Sequence, residues 1–157
     1  MFTDLGLYLH IPFCVQKCGY CDFYSLCRPQ DQEAYINALL LHMQDYRPSL
    51  LTREIDTVFI GGGTPTSLPQ GLMLDLIDGI KENFNLAKDA EFTMESNPAT
   101  VSLKDLRRYR KAGVNRLSIG LQSFIPEELS ALGRIHTTQD FEQAFRDARD
   151  RSEEHTV

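Results

Sequence analysis

Cys14-Val-Gln-Lys-Cys18-Gly-Tyr20-Cys21 places three thiols within eight residues, spaced four and three apart. Thiolates are soft ligands suited to zinc and to iron–sulfur clusters, and three at this spacing can wrap one face of a compact metal centre. They leave one coordination position without a ligand from this loop. A structural zinc site wants four ligands, commonly as two Cys-x-x-Cys pairs. Only Cys18 and Cys21 form such a pair, and Cys27 would have to supply the fourth ligand. Disulfides fit less well, because the chain has four cysteines in 157 residues, no signal-peptide pattern and enough length for an ordinary core. An iron–sulfur cluster with three protein ligands and one open iron is the best fit, with zinc as the alternative.

Such a loop needs a scaffold, and the length suits one domain or part of one. With 42% apolar and 24% charged residues the chain is neither disordered nor membrane-spanning. A formal charge of -6 argues against a general grip on nucleic acid, which relies on clustered Lys and Arg. The basic run at 104–111 sits in a helical stretch and reads as a solvated face. A cytoplasmic protein without a transmembrane segment is the expectation.

Short apolar strands are expected at 5–11, 56–60, 91–95 and 116–121. After the first, Pro12 stops the strand and the cysteine loop follows at once. Asp31 is expected to cap a helix that carries Ile36, Leu39, Leu40 and Met43 on one face. Pro69 suits the first turn of the next helix, with a stripe of Leu72, Met73, Leu76, Ile77, Ile80 and Phe84. Ser102 and Asp105 form a capping-box-like start to a third helix, and Gly113 stops it. A short helix from Pro126 precedes a longer one with Phe141, Ala144, Phe145 and Ala148 on one face. Repeated strand–helix units indicate an α/β fold with parallel strands under helices. Every strand ends in a chemically loaded loop, which favours a (β/α) barrel over a doubly wound sheet.

The string YLHIPFC-VQKC-GYC-DF, followed in order by GGGTPT, Glu95 and GLQSF, resembles the radical S-adenosylmethionine (SAM) superfamily, and within it the oxygen-independent coproporphyrinogen oxidase-like group. The resemblance implies a partial TIM-like radical SAM barrel with about four of the six strand–helix units. It implies that Cys14, Cys18 and Cys21 hold a 4Fe-4S cluster whose open iron takes S-adenosyl-L-methionine through its amino and carboxylate groups. Tyr20 falls in a slot that packs against the adenine of that cofactor, and Tyr8 in another contact position, with a core strand tyrosine as the alternative. Gly62, Gly63 and Thr64 match the segment that approaches the cofactor's amino group by backbone. Glu95, Gln122 and Arg134 match further cofactor contacts, a surface salt bridge being the alternative for Arg134. The implied chemistry is one-electron transfer from the reduced cluster into a carbon–sulfur bond of the cofactor, which needs no general acid or base among these residues. His10 reads as a packed strand residue, and His136 is open.

The family's coproporphyrinogen dehydrogenases carry a further cysteine two residues after the third ligand, where this chain has Phe23, and a long N-terminal extension. Both departures resemble the HemW-type branch, whose members resemble haem chaperones that bind haem and hand it on. Haem or a porphyrinogen, a haem-acceptor protein and an electron donor for the cluster are the implied partners. The alternative is an oxygen-independent coproporphyrinogen III oxidase of porphyrin biosynthesis. Cys27 matches no ligand position. The expected organisation is the N-terminal part of a radical SAM core over 1–150 and a non-native tail over 151–157, because the residues from Arg151 to Thr156 read like a translated sequencing adapter and break the helical pattern.

Overall fold

The structure, a computed structural model, describes residues 5–149. The expected tail at 151–157 lies outside the described residues. Strands β1 (Gly6–Ile11), β2 (Glu54–Gly62), β3 (Asn85–Ser96) and β4 (Arg116–Ile119) form one sheet in the order of the sequence. Every neighbouring pair is parallel. Parallel neighbours need a crossover, and α1 (Gln32–Leu50), α2 (Gln70–Asn83) and α3 (Leu103–Ala112) supply it. Helices α4 (Pro126–Ala131) and α5 (Thr138–Arg149) follow β4. Sequential order without reversal leaves no switch point, so the architecture is a partial TIM-like barrel. Among the described residues no helix is long and apolar enough to cross a membrane.

Alternation along the strands sorts residues onto two faces. Leu9 pairs with Ile60 and Ile60 with Met94, and this face packs against the helices. Ile11, Ile60 and Met94 are fully buried there with Met73, Leu76, Ile77 and Ile80 of α2 and Ile36 of α1. Gly79 lets the helices meet, since a Cβ at that position would lie 2.2 Å from Leu40 Cδ2. The opposite face carries Tyr8, Phe59, Thr93, Glu95 and Ser118, aligned across the four strands by the register.

Helix α3 starts and stops as its sequence indicates. Asp105 N–H donates to Ser102 Oγ, Ser102 N–H donates to the Asp105 carboxylate, and Gly113 ends the helix at φ +120°. Strands β2 and β4 run over Glu54–Gly62 and Arg116–Ile119 rather than 56–60 and 116–121, and further expectations need correction. Asp31 makes no side-chain cap, because Pro29 starts a 3-10 turn (Pro29–Asp31) that runs straight into α1. Pro69 is extended and precedes α2 rather than sitting in its first turn, and Phe84 follows the helix although it stays buried. Strand β3 begins at Asn85, not 91, because Asn85 and Leu86 pair with Glu54 and Ile55 of β2. The basic residues of α3 are exposed, as a solvated face requires.

Candidate functional site

The cysteine loop is held at its base by backbone. Beyond β1, Leu26 N–H donates to Pro12 O at 2.7 Å and Cys14 N–H to Leu26 O at 3.1 Å, a parallel bridge between Phe13 and Leu26. Phe13, 2% exposed, packs edge-on against Tyr35 and fixes that base in the core. Within the loop Cys21 N–H donates to Cys18 O at 3.1 Å, making a turn between two of the thiols. Cys14, Cys18 and Cys21 are half-buried free thiols, whereas Cys27 lies outside the bridge and is exposed.

The glycine segment after β2 presses onto this loop. Gly63 N–H donates to Ile11 O at 2.8 Å and Thr64 N–H to Phe13 O at 2.7 Å. A Cβ on Gly63 would meet Phe13 O at 2.6 Å and Cys14 Sγ at 3.0 Å, so only glycine fits this approach. Thr64 Oγ1 donates to Cys14 Sγ at 3.6 Å. Gly62, at φ +117°, donates its N–H to Glu95 Oε2 at 2.9 Å, which ties the end of β2 to the end of β3.

From the other side comes the segment after β4. Arg134 donates through Nη2 to Gly120 O at 2.9 Å and through Nη1 to Cys18 Sγ at 3.5 Å. Its Nε is buried without a partner among the described residues, and no ion pair involving Arg134 occurs among them, so the salt-bridge alternative is set aside. Gln16 Nε2 donates to Gly133 O at 3.2 Å, which closes this segment over the cysteine loop. Gln122 is the one residue other than glycine among those described with positive φ, at +71°.

These three segments and the end of β3 line a cavity of about 300 Å³. Tyr20, Cys21, Gly62, Gly63, Thr64, Glu95, Gln122 and Arg134 all line it. A smaller adjoining cavity of about 50 Å³ is bordered by Cys14, Cys18 and Cys21 together. The two share Tyr20, Cys21, Gly63, Thr64, Asn97 and Arg134, so thiols and large cavity form one site. Among the described residues no three His, Cys, Asp or Glu side chains converge closely enough to hold a single metal ion.

Tyr8 alone of the expected contacts does not line the cavity. At 58% exposure it is not a core tyrosine either. It stacks on Phe59 and shares a hydrogen bond with His10 Nδ1 at 3.0 Å. His10 Nε2 lies 2.9 Å from Tyr24 O, a carbonyl that can only accept, so Nε2 carries the proton and Nδ1 accepts from Tyr8. His10 therefore braces β1 against the cysteine loop. His136 is 3% exposed, with Nε2 on Leu121 O at 3.0 Å and Nδ1 unpartnered among the described residues. Burial lowers its pKa, and Arg134 adds to that, while the Leu121 carbonyl and Asp140 act against it.

Sequence reasoning missed Asn97, which lines both cavities. A ring of hydrogen bonds grips its backbone: Asn97 N–H donates to Thr66 Oγ1 at 3.3 Å, Thr66 meets Thr100 at 2.6 Å, and Thr100 Oγ1 donates to Asn97 O at 3.0 Å. Thr66 sits in the GGGTPT string, and the Ser96-Asn97-Pro98 turn after β3 was the only other signal.

A family model for the Radical SAM superfamily matches residues 8–157. The chain is 47% identical over 142 residues to the heme chaperone HemW of Escherichia coli (strain K12), covering 89% of this chain and 38% of that protein. It is 39% identical over 145 residues to the heme chaperone HemW of Bacillus subtilis (strain 168), covering 91% and 38%. Coproporphyrinogen III oxidase (HemN) from Escherichia coli, a radical SAM enzyme, superposes with a TM-score of 0.88 at 31% identity, over 94% of this chain and 34% of that one. The chain thus spans somewhat over a third of the length of the curated relatives it matches. On the family match and on the fold, this chain belongs to the radical SAM superfamily, in the HemN-like group that includes HemW.

Proposed function

We propose that Cys14, Cys18 and Cys21 hold a 4Fe-4S cluster, that S-adenosyl-L-methionine binds in the adjoining cavity, and that both serve a HemW-like haem chaperone that binds haem and transfers it. The observation that carries this reading is the shared wall, where three thiols from one loop border a cavity continuous with the one lined by Gly62, Gly63, Glu95, Gln122 and Arg134. The residues suit those groups. Three thiols that border one small cavity supply the ligand type of an iron–sulfur centre, and the orphaned Arg134 Nε offers a donor at the same wall.

When bound, the cluster and the sulfonium cofactor together supply one-electron chemistry at a carbon–sulfur bond. The chain's own part is to bind, orient and shield. Glu95 uses one carboxylate oxygen on Gly62 N–H, which leaves the other for a cationic amino group. Arg134 has five N–H donors; beyond its contacts with Gly120, Cys18 and Tyr20, its Nε–H has no partner among the described residues and can donate to a ligand carboxylate. The lack of a Cβ at Gly62 and Gly63 admits a ligand against the backbone. Tyr20, 49% exposed at the cavity, offers a ring face for a purine.

Phe23 supports the chaperone reading over oxidation. It lines the cavity with 67% of its surface exposed, at the position where the dehydrogenases carry a further cysteine. The second reading, oxidation of coproporphyrinogen III, draws on the likeness to HemN. Two assays on the intact protein, reconstituted anaerobically with iron and sulfide, separate them. Stoichiometric haem uptake by absorbance titration without porphyrinogen turnover is expected. Conversion of coproporphyrinogen III in the presence of cofactor and reductant would overturn the preference. A reconstituted protein that retains no iron would remove both.

A further inference from the structure

Among the described residues three buried side-chain polar atoms lack a hydrogen-bond partner: Ser25 Oγ, Arg134 Nε and His136 Nδ1. Ser25 and Arg134 both border the small cavity that Cys14, Cys18 and Cys21 share. A buried hydroxyl without a partner costs roughly 1–3 kcal/mol, so its retention beside three thiols calls for an acceptor at that place. Arg134 already reaches one of these sulfurs through Nη1. Ser25 makes no such contact with the protein, its surface is only 9% exposed, and it borders the cavity shared by the three thiols.

Its position is fixed by backbone. Ser25 immediately precedes Leu26, whose N–H and C=O both pair with the Pro12–Cys14 segment, at 2.7 and 3.1 Å. The hydroxyl is therefore carried on the strand-like return of the cysteine loop and held at the cavity wall. Hydrogen bonds to the sulfurs of an iron–sulfur cluster, thiolate or sulfide, stabilise the more negative reduced state and raise its reduction potential.

We propose that Ser25 is a positioning and tuning residue whose Oγ–H donates to a sulfur of the centre held by Cys14, Cys18 and Cys21. This rests on the cluster reading above. It adds a residue outside the cysteine motif that sets how readily the centre accepts an electron, while Arg134 grips the same loop at Cys18.

The test compares the full chain with Ser25→Ala and Ser25→Thr after anaerobic reconstitution. Iron and acid-labile sulfide are measured first, then the potential by EPR-monitored redox titration. With cluster content unchanged, Ser25→Ala is expected to lower the ratio of reduced to oxidised cluster about tenfold at fixed ambient potential, a shift of about -59 mV for a one-electron couple. Ser25→Thr keeps the hydroxyl and is expected to titrate like the parent. An alanine variant with full iron and an unshifted potential overturns the proposal and leaves the cluster reading standing. A parent chain that binds no iron overturns both. If the alanine variant alone loses its cluster, Ser25→Gly, which also removes the hydroxyl, is compared with Ser25→Thr: a potential lowered in the glycine variant and unshifted in the threonine variant supports the donor, and a glycine variant with full iron and the parent's potential overturns it.

Discussion

Gly63→Ala tests how tightly the glycine segment is seated on the cysteine loop. The added Cβ would lie 2.6 Å from Phe13 O and 3.0 Å from Cys14 Sγ, where ordinary contact begins at 3.4 Å. The Phe13 carbonyl must then retreat by about 0.8 Å, since backbone cannot swing aside as a long side chain does. That carbonyl also accepts from Thr64 N–H at 2.7 Å, so the same displacement strips a buried hydrogen bond. Overpacking of this kind costs roughly 1–3 kcal/mol, and the lost bond about another 1 kcal/mol. The expected destabilisation is about 2–4 kcal/mol, partly offset by the lower chain entropy of alanine, worth about 0.4–1 kcal/mol. Urea denaturation of the cluster-free chain measures it, with Gly71→Ala as a control. Gly71 lies in α2 with nothing within 4 Å of where a Cβ would stand, so alanine there should be neutral or stabilising by up to about 1 kcal/mol. Iron content after reconstitution should fall in Gly63→Ala, because Cys14 Sγ is pushed together with Phe13. A Gly63→Ala midpoint equal to the parent's, with full iron content, would refute the close seating.

Two further outcomes follow from the same geometry. Cys14→Ala, Cys18→Ala and Cys21→Ala should each abolish cluster binding after reconstitution, while Cys27→Ala, exposed and outside the loop's base, should keep full iron; a Cys18→Ala chain with undiminished iron would break the ligand assignment. Burial holds the His136 pKa below 6.5, so the unfolded chain binds a proton that the folded chain does not. Stability should be fully present above about pH 6.5 and decline as pH falls below it toward the depressed folded value, and His136→Gln should flatten that part of the stability–pH curve; an unchanged slope would show that another group titrates there.

The loop that carries the cysteines, the close approach of the glycine run and the order of the strands were legible because each is a local pattern with few structural meanings. Three thiols in one turn-rich loop have few uses, and GGG between a strand and a helix must permit a close approach. Gly63 shows which approach it is. Capping at Asp31 was misread because residue type alone does not reveal that Pro29 has already begun a 3-10 turn, which takes over the role of an N-cap. The early start of β3 was hidden because residues 85–90 mix Leu86 and two alanines with Asn85, Lys88 and Asp89 in no strand-like alternation, and their extension comes from pairing with β2. Ser25 and Asn97 were illegible for a related reason. A serine or an asparagine in a loop is ordinarily solvated, and only the Phe13–Leu26 bridge and the Thr66–Thr100 ring bring these two to the cavity wall.

Gln122 joins these strands of reasoning in a measurable way. Its φ of +71° is a left-handed conformation that costs a residue with a Cβ about 1 kcal/mol or more. Its side-chain amide lies over Gly120, with Nε2 3.1 Å from where a Cβ would stand there, and the residue lines the large cavity beside Arg134. Replacement by glycine would relieve the left-handed strain, and the greater freedom of glycine in the unfolded chain offsets that by about 0.4–1 kcal/mol. Gln122→Gly should therefore unfold within about 0.5 kcal/mol of the parent. Removing a hydrogen bond to a charged ligand group costs about 1.5–3 kcal/mol, so affinity for S-adenosyl-L-methionine, measured by calorimetry on the reconstituted chain, should fall about tenfold or more. Affinity unchanged in Gln122→Gly would mean that the strained backbone serves the turn after β4 alone. A loss of affinity at constant stability would instead tie the strain to the ligand, since only the bound state then gains from keeping glutamine where glycine fits.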